Sequence, residues 1–177
     1  ESALRCKQIT QGLLEFSRMT KVSPKPTAIN ETLEKTIGLA EHEIRLENIR
    51  IVRELDSGLP LVMAEPNRLQ QVFLDIINNA RWSLQQRPEA ELKLKTLLSE
   101  DKKFVIVEIS DNGCGIEKEN LSRIFEPFFT TKKVGEGTGL GLSICYQIIK
   151  EHNGTIEAES EGRDKGAIFR VRLPVIV

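Results

Sequence analysis

Between residues 135 and 142 every second residue is glycine: Gly135-Glu136-Gly137-Thr138-Gly139-Leu140-Gly141-Leu142. Glycine costs about 0.5–1 kcal/mol in the interior of a helix or strand, so a run this dense reads as a loop. It leads into a helix expected from Gly139 to about His152. Spaced glycines at a helix N-terminus expose backbone N–H groups, and the positive end of the helix dipole there favours phosphate. The run matches neither common nucleotide pattern: positions 140 and 142 are not glycine, and the chain has no Gly-Lys pair for a P-loop. A flexible loop leading into a helix is the competing reading of this segment alone.

The remaining periodicities place elements around that loop. Cys6, Ile9, Leu13 and Phe16, with Leu14 and Met19, form an apolar stripe on a helix over residues 1–20. A stiff linker, Lys21-Val22-Ser23-Pro24-Lys25-Pro26, follows it. A second helix is expected from about Asn30 as its cap, with Leu33, Ile37, Ala40 and Ile44 inward. Ile49–Leu55 alternates as a strand, and Leu61–Met63 is a short extended piece. Pro66 opens a long helix to about Gln86, with Leu69, Val72, Phe73, Ile76, Ala80 and Leu84 as its core face. Strands are expected at Leu92–Leu98, Phe104–Ile109, Thr155–Glu159 and Ala167–Leu173, with a weakly periodic stretch from Ser110 to about Thr138. Interleaved helices and hairpins predict an α+β fold, a two-layer α/β sandwich with a mixed sheet and helices on one face, preceded by one long helix.

Composition removes several function classes. With 25 Lys+Arg against 26 Asp+Glu among 177 residues, there is no bulk positive charge to hold nucleic acid, and 5% aromatic content supplies few stacking platforms. Cys6, Cys114 and Cys145 form no CxxC pair and read as reduced thiols of a cytosolic domain. No apolar run approaches the ~20 residues of a membrane helix. The chain starts at Glu1 without a methionine, which reads as a piece of a longer protein whose membrane anchoring stays open.

Two further motifs carry chemistry. Asp75 and Asn79 stand at i and i+4 on the long helix, so both oxygens share one face opposite the apolar stripe. Such a pair suits a hard cation such as Mg²⁺, and a merely solvated face is the alternative. Asp111-Asn112-Gly113-Cys114-Gly115-Ile116 follows a strand; its carboxylate can accept a hydrogen bond from a ligand amine while the glycines let the backbone approach. A tight turn explains the same residues.

In this order the motifs resemble the ATP-binding domain of sensor histidine kinases, within the Bergerat-type ATPase superfamily. Gln70–Ala80 is similar to its asparagine box, Asp111–Ile116 to its first glycine box, Ile124–Lys132 to its phenylalanine box and Gly137–Leu142 to its second glycine box. The match spans about residues 27–174. It implies that Asp111 binds the adenine amino group, with Gly113, Gly115 and Ile116 shaping the base pocket. Asn79 would hold Mg²⁺ bridging the phosphates of ATP or ADP. Thr138, Gly139, Leu140 and Gly141 would meet the phosphates, with Lys132 able to reach them, and residues 123–138 would form a mobile lid. Phe125, Phe128 and Phe129, three of the seven phenylalanines, would pin that lid to the body or a partner helix.

The resemblance also implies domains and partners. Residues 1–22 are similar to the second helix of the dimerisation and phosphoacceptor hairpin, and residues 23–177 to the catalytic domain. The hairpin's first helix, which carries the acceptor histidine, is missing; the parent would be a homodimer working with a response regulator. The expected activity is Mg²⁺-dependent transfer of the ATP γ-phosphoryl group to that histidine, hence nucleotide binding without autophosphorylation in this chain.

Two positions depart from the family pattern. Asp75 stands where asparagine is common and resembles the general-base position of ATP-hydrolysing relatives, so it is expected to orient a water or metal ligand. Trp82 stands where a charged residue is frequent. His42-Glu43-Ile44-Arg45 imitates a phosphoacceptor motif, but Glu47 occupies the proline's place and a strand follows at once. His152, ahead of Asn153-Gly154, suits helix-end electrostatics. A stand-alone Bergerat-type ATPase, an anti-sigma-type serine kinase and a degenerate nucleotide-binding scaffold are the alternative functions.

Overall fold

Alternation decides the layering. Leu92, Leu94 and Thr96, then Val105, Val107 and Ile109, then Ala167, Phe169, Val171 and Leu173 are each buried with a more exposed residue between them. Strands that bury one residue in two have one covered face. The computed structural model describes residues 23–133 and 137–176; the expected helix over residues 1–22 lies outside these.

The elements in chain order are β1 (Lys25–Thr27), α1 (Ile29–Leu46), β2 (Arg50–Leu55), β3 (Val62–Ala64), α2 (Pro66–Ser83), β4 (Glu91–Leu98), β5 (Phe104–Asp111), α3 (Lys118–Leu121), α4 (Gly141–Glu151), β6 (Thr155–Glu159) and β7 (Ala167–Pro174). The main sheet runs β2-β4-β5-β7-β6, with β2 parallel to β4 and all other neighbours antiparallel. It is the expected mixed sheet. Its register sets Leu94 beside Ile109 and Ile109 beside Phe169, so the inward residues form one apolar band. Ile29, Leu33, Ile37 and Ile44 of α1, Phe73, Ile76 and Ile77 of α2, and Ile148 and Ile149 of α4 complete the same core. The sheet's other face is charged: the Arg170 guanidinium lies 2.7 Å from both Glu108 and Glu159. Its hydrogen bond to Glu159, then that to Glu108, raises its pKa beyond the ordinary arginine value.

Four details differ from expectation. Lys25 and Pro26, expected as the end of the linker, are with Thr27 strand β1, pairing antiparallel with β3 so that Pro26 faces Met63. A two-stranded ribbon is all edge, where the missing proline N–H costs least. Asn30 does not cap α1, whose N-cap is Ala28. Its amide instead donates to Asp56 O at 2.7 Å and accepts from the Thr96 hydroxyl at 2.8 Å, tying α1 to the sheet. Helix α2 ends at Ser83 rather than Gln86, and the weakly periodic stretch contains the single turn α3. His152 is buried; Glu65 N–H donates to its Nε2 at 3.0 Å and its Nδ1 lies 2.7 Å from Ile148 O. That pairing requires the Nδ1–H tautomer, so the ring is a hydrogen-bonded strut between α4 and the start of α2 and not a charge at a helix end.

Phe73 is fully buried between the helices and the sheet. Truncation to alanine leaves a cavity of aromatic size, and Phe73→Ala is expected to lower the unfolding free energy by about 3–5 kcal/mol in urea titration.

Candidate functional site

Helix α2 presents its apolar stripe to the sheet, so its opposite side is free to line a cleft. Asp75 and Asn79 lie on that side with Trp82 and Ser83, and all four line a cleft of about 680 Å³. The far wall comes from the loop after β5, the roof from Ile124, residues 129–132 and residues 137–139, and one end from the first turn of α4. Of the sequence-predicted residues, Asp75, Asn79, Asp111, Gly115 and Ile116 line this one space. Lys132, Thr138, Gly139 and Gly141 line it too, whereas Gly113 and Leu140 are buried and do not line it.

Asp111 closes the deep end. Its Oδ1 accepts from the Gly113 N–H at 2.9 Å and the Ser83 hydroxyl at 3.0 Å. Burial raises its pKa above the usual carboxylate range, although those hydrogen bonds, the Ala167 N–H and the Arg87 charge all pull the other way. Ser83 O also accepts from Cys114 N–H at 3.1 Å, so helix and loop touch backbone to backbone. Gly113 is what permits this: a Cβ there would stand 2.2 Å from Ser83 Oγ and 2.5 Å from Ser83 O.

At the other end Asp75 lies beneath the start of α4. Its Oδ2 is 3.8 Å from Cys145 Sγ, and burial followed by the Asp75 charge holds that thiol well above its ordinary pKa. Cys114 and Cys145 are both unbridged, as expected of reduced thiols. Thr138 Oγ1 accepts from Leu140 N–H at 3.3 Å just before α4 begins. A Cβ on Gly141 would meet nothing closer than Asp75 Oδ2 at 3.8 Å. The protein itself therefore leaves room at Gly141 that its own packing does not use.

Lys132 Nζ donates to Asn79 Oδ1 at 3.1 Å and lies 5.0 Å from the centre of the Trp82 ring. The indole thus acts through its π face, a role that the sequence motif alone did not give it. The three phenylalanines divide. Phe125 and Phe129 pack against the core, Phe125 also meeting Tyr146 at 5.9 Å between ring centres, whereas Phe128 is 57% exposed with φ +66°. Among the described residues no three His, Cys, Asp or Glu side chains cluster to hold a metal by themselves. An oxygen pair such as Asp75 and Asn79 can complete a hard-cation site only with oxygens from a ligand and water.

Ser83 was not singled out in the sequence, yet it follows Asp75 and Asn79 at the next four-residue step, and that spacing is the signal that finds it. Arg163, also lining the cleft, sits in a charged turn with no distinguishing pattern.

A family model described as "Histidine kinase-, DNA gyrase B-, and HSP90-like ATPase" matches residues 64–176, which hold α2, the loop after β5 and α4. The chain belongs to this ATPase family. It is 34% identical over 172 residues to Sporulation kinase E of Bacillus subtilis (strain 168), covering 96% of this chain and 22% of that protein. The nucleotide-free catalytic domain of histidine kinase ThkA superposes with a TM-score of 0.74 at 33% identity, over 86% of this chain and 95% of that one. ThkA in complex with response regulator protein TrrA superposes with a TM-score of 0.80 at 29% identity, over 99% of this chain and 48% of that one. The chain spans about a fifth of the length of the first curated relatives. The expected fold is thus that of a histidine kinase catalytic domain, and its class is nucleotide-binding. No helix among the described residues is long and apolar enough to cross a membrane.

Two glycines of this cleft separate backbone need from ligand need. Gly139 has φ +69°, and a Cβ there would stand 2.4 Å from the Phe128 carbonyl carbon. Gly139→Ala is expected to lower Tm, at a cost of about 1–3 kcal/mol. Gly141→Ala, at the first position of α4, is expected to leave Tm unchanged or raise stability by up to about 1 kcal/mol. Calorimetry of the two variants checks both.

Proposed function

We propose that this chain is the catalytic, ATP-binding part of a sensor histidine kinase and transfers the ATP γ-phosphoryl group to a histidine on a dimerisation hairpin. The observation that carries the reading is a single cleft with a half-buried carboxylate at one end and an open helix N-terminus at the other. Asp111 is a hydrogen-bond acceptor suited to the adenine amino group, with Gly113 behind it and Gly115 and Ile116 beside the base. Thr138, Gly139 and Gly141 bring backbone N–H groups and the helix dipole to the phosphates, Leu140 supports them with its own N–H held by Thr138 Oγ1, and the unused room at Gly141 is where phosphate oxygens approach.

The donor set fits Mg²⁺. Asn79 Oδ1 is a hard oxygen facing the cleft, and a cation already lies against it in the form of the Lys132 ammonium. Bound Mg²⁺ supplies charge neutralisation on the transferred group. Lys132 then turns from Asn79 to the phosphates, and Asp75 orients a water or metal ligand. Residues 23–177 form the catalytic domain and 123–138 its lid, with residues 1–22 the second helix of the hairpin. A cytoplasmic location, a homodimeric parent and a response regulator partner belong to the same proposal. A complex of ThkA with a response regulator supports the last.

Trp82 is the chain's single tryptophan and lines the cleft under Lys132, so nucleotide entry is readable in its fluorescence. Wild type is expected to bind ATP more tightly with Mg²⁺ than without. Asn79→Ala should abolish that difference, while Asp111→Asn, which keeps an oxygen for Gly113 and Ser83, should weaken binding about ten-fold or more without unfolding. No Mg²⁺ effect in wild type supports the scaffold alternative instead. Because burial raises the Asp111 pKa, ATP affinity should fall on acidification at a higher pH than an ordinary aspartate would give, the carboxylate being the acceptor form. Asp75→Asn should reduce steady-state ATP hydrolysis; unchanged hydrolysis and Mg²⁺ dependence would remove the assigned role.

A further inference from the structure

Arg87 lies outside the cleft, in the connection from α2 to β4, and none of the expected site motifs contains it. Its guanidinium nevertheless spans the back of the loop that carries Asp111. Nε donates to Asn112 O at 3.0 Å, and Nη2 donates to Gly113 O at 3.1 Å and to Asp164 O at 2.7 Å. Nη1 lies 3.3 Å from the Asp164 carboxylate. One side chain therefore ties together the end of α2, the loop after β5 and the β6–β7 turn. The two loops are also joined directly, with Asp164 N–H donating to Cys114 O at 2.7 Å and Gly166 N–H to Gly113 O at 3.1 Å.

The contacts are directional. Gly113 C=O accepts from Arg87 and from Gly166 N–H. In the preceding Asn112–Gly113 peptide, the Asn112 C=O accepts from Arg87 Nε and the Gly113 N–H donates to Asp111 Oδ1, so the orientation of that one peptide sets where the carboxylate points. A planar guanidinium can engage three carbonyls and a carboxylate in fixed geometry, which an ammonium cannot.

We propose that Arg87 is a positioning residue for nucleotide recognition: from behind the glycine loop it fixes the Asn112–Gly113 peptide and thereby aims Asp111 at the exocyclic amine of the base. This rests on the reading of Asp111 as the adenine acceptor. Arg87 touches no ligand; it acts on selectivity through the loop. It also keeps a positive charge near a half-buried carboxylate whose pKa desolvation raises.

The test compares ATP with inosine triphosphate, in which a carbonyl replaces the 6-amino group, by Trp82 fluorescence on the full chain. Wild type should prefer ATP. Arg87→Ala should weaken ATP binding about ten-fold while changing inosine triphosphate binding much less, so the preference collapses. A purely structural role weakens both nucleotides alike, and that outcome overturns the proposal, as does an unaltered preference. Arg87→Lys keeps the charge and guards against misfolding of the alanine variant; it should retain only part of the preference, and full wild-type selectivity in it contradicts the fork geometry. If wild type itself does not distinguish the two nucleotides, the Asp111 reading fails and the Arg87 proposal with it. A retained preference in Arg87→Ala removes the Arg87 proposal alone.

Discussion

The end of α2 touches the loop after β5 backbone to backbone, and the site depends on that contact. Cys114 N–H reaches Ser83 O only because residue 113 has no Cβ to intervene. The same approach brings the Ser83 hydroxyl to Asp111 Oδ1, so one helix carries both the oxygen pair Asp75 and Asn79 and a partner of the half-buried carboxylate. The length of α2 between Asn79 and Ser83, one helical turn, fixes the spacing between the two ends of the cleft.

Around it the fold divides its labour. The core packs one face of five strands against three helices, and its edge at Ile124, Ala167 and Phe169 also lines the cleft. The roof is different: Phe125 and Phe129 anchor it, Phe128 stays exposed, and Lys132 rests on Asn79 and Trp82. Few buried apolar contacts hold such a segment, which places it at the low-stability end where binding elements are found.

Most of the architecture was legible because its signals are periodic. Alternation in Leu92–Leu98 and Ala167–Leu173 and the stripe from Leu69 to Ala80 each point to one covered face, and the structure covers those faces. What escaped is set by contacts distant in sequence. Asn30 caps helices well in general, yet here Asp56 and Thr96 bind its amide instead. The proline-rich residues 25–27 became a strand because β3 lies alongside. Arg87 is one arginine among many in the sequence; only the fold brings three carbonyls within its reach.

The same division explains the two histidines. His42 is exposed on α1, and His152 is consumed as a strut between Glu65 and Ile148. Neither lines the cleft. The central claim is therefore transfer to a histidine outside this chain. Its most direct test supplies γ-labelled ATP, Mg²⁺ and a separate dimeric hairpin bearing the acceptor histidine, and follows the label. The account predicts acid-labile, base-stable label on the hairpin's histidine, lost when that residue is replaced, and none on this chain. Label on His42, acid-stable label on serine, or ATP hydrolysis with no label on the hairpin would contradict it.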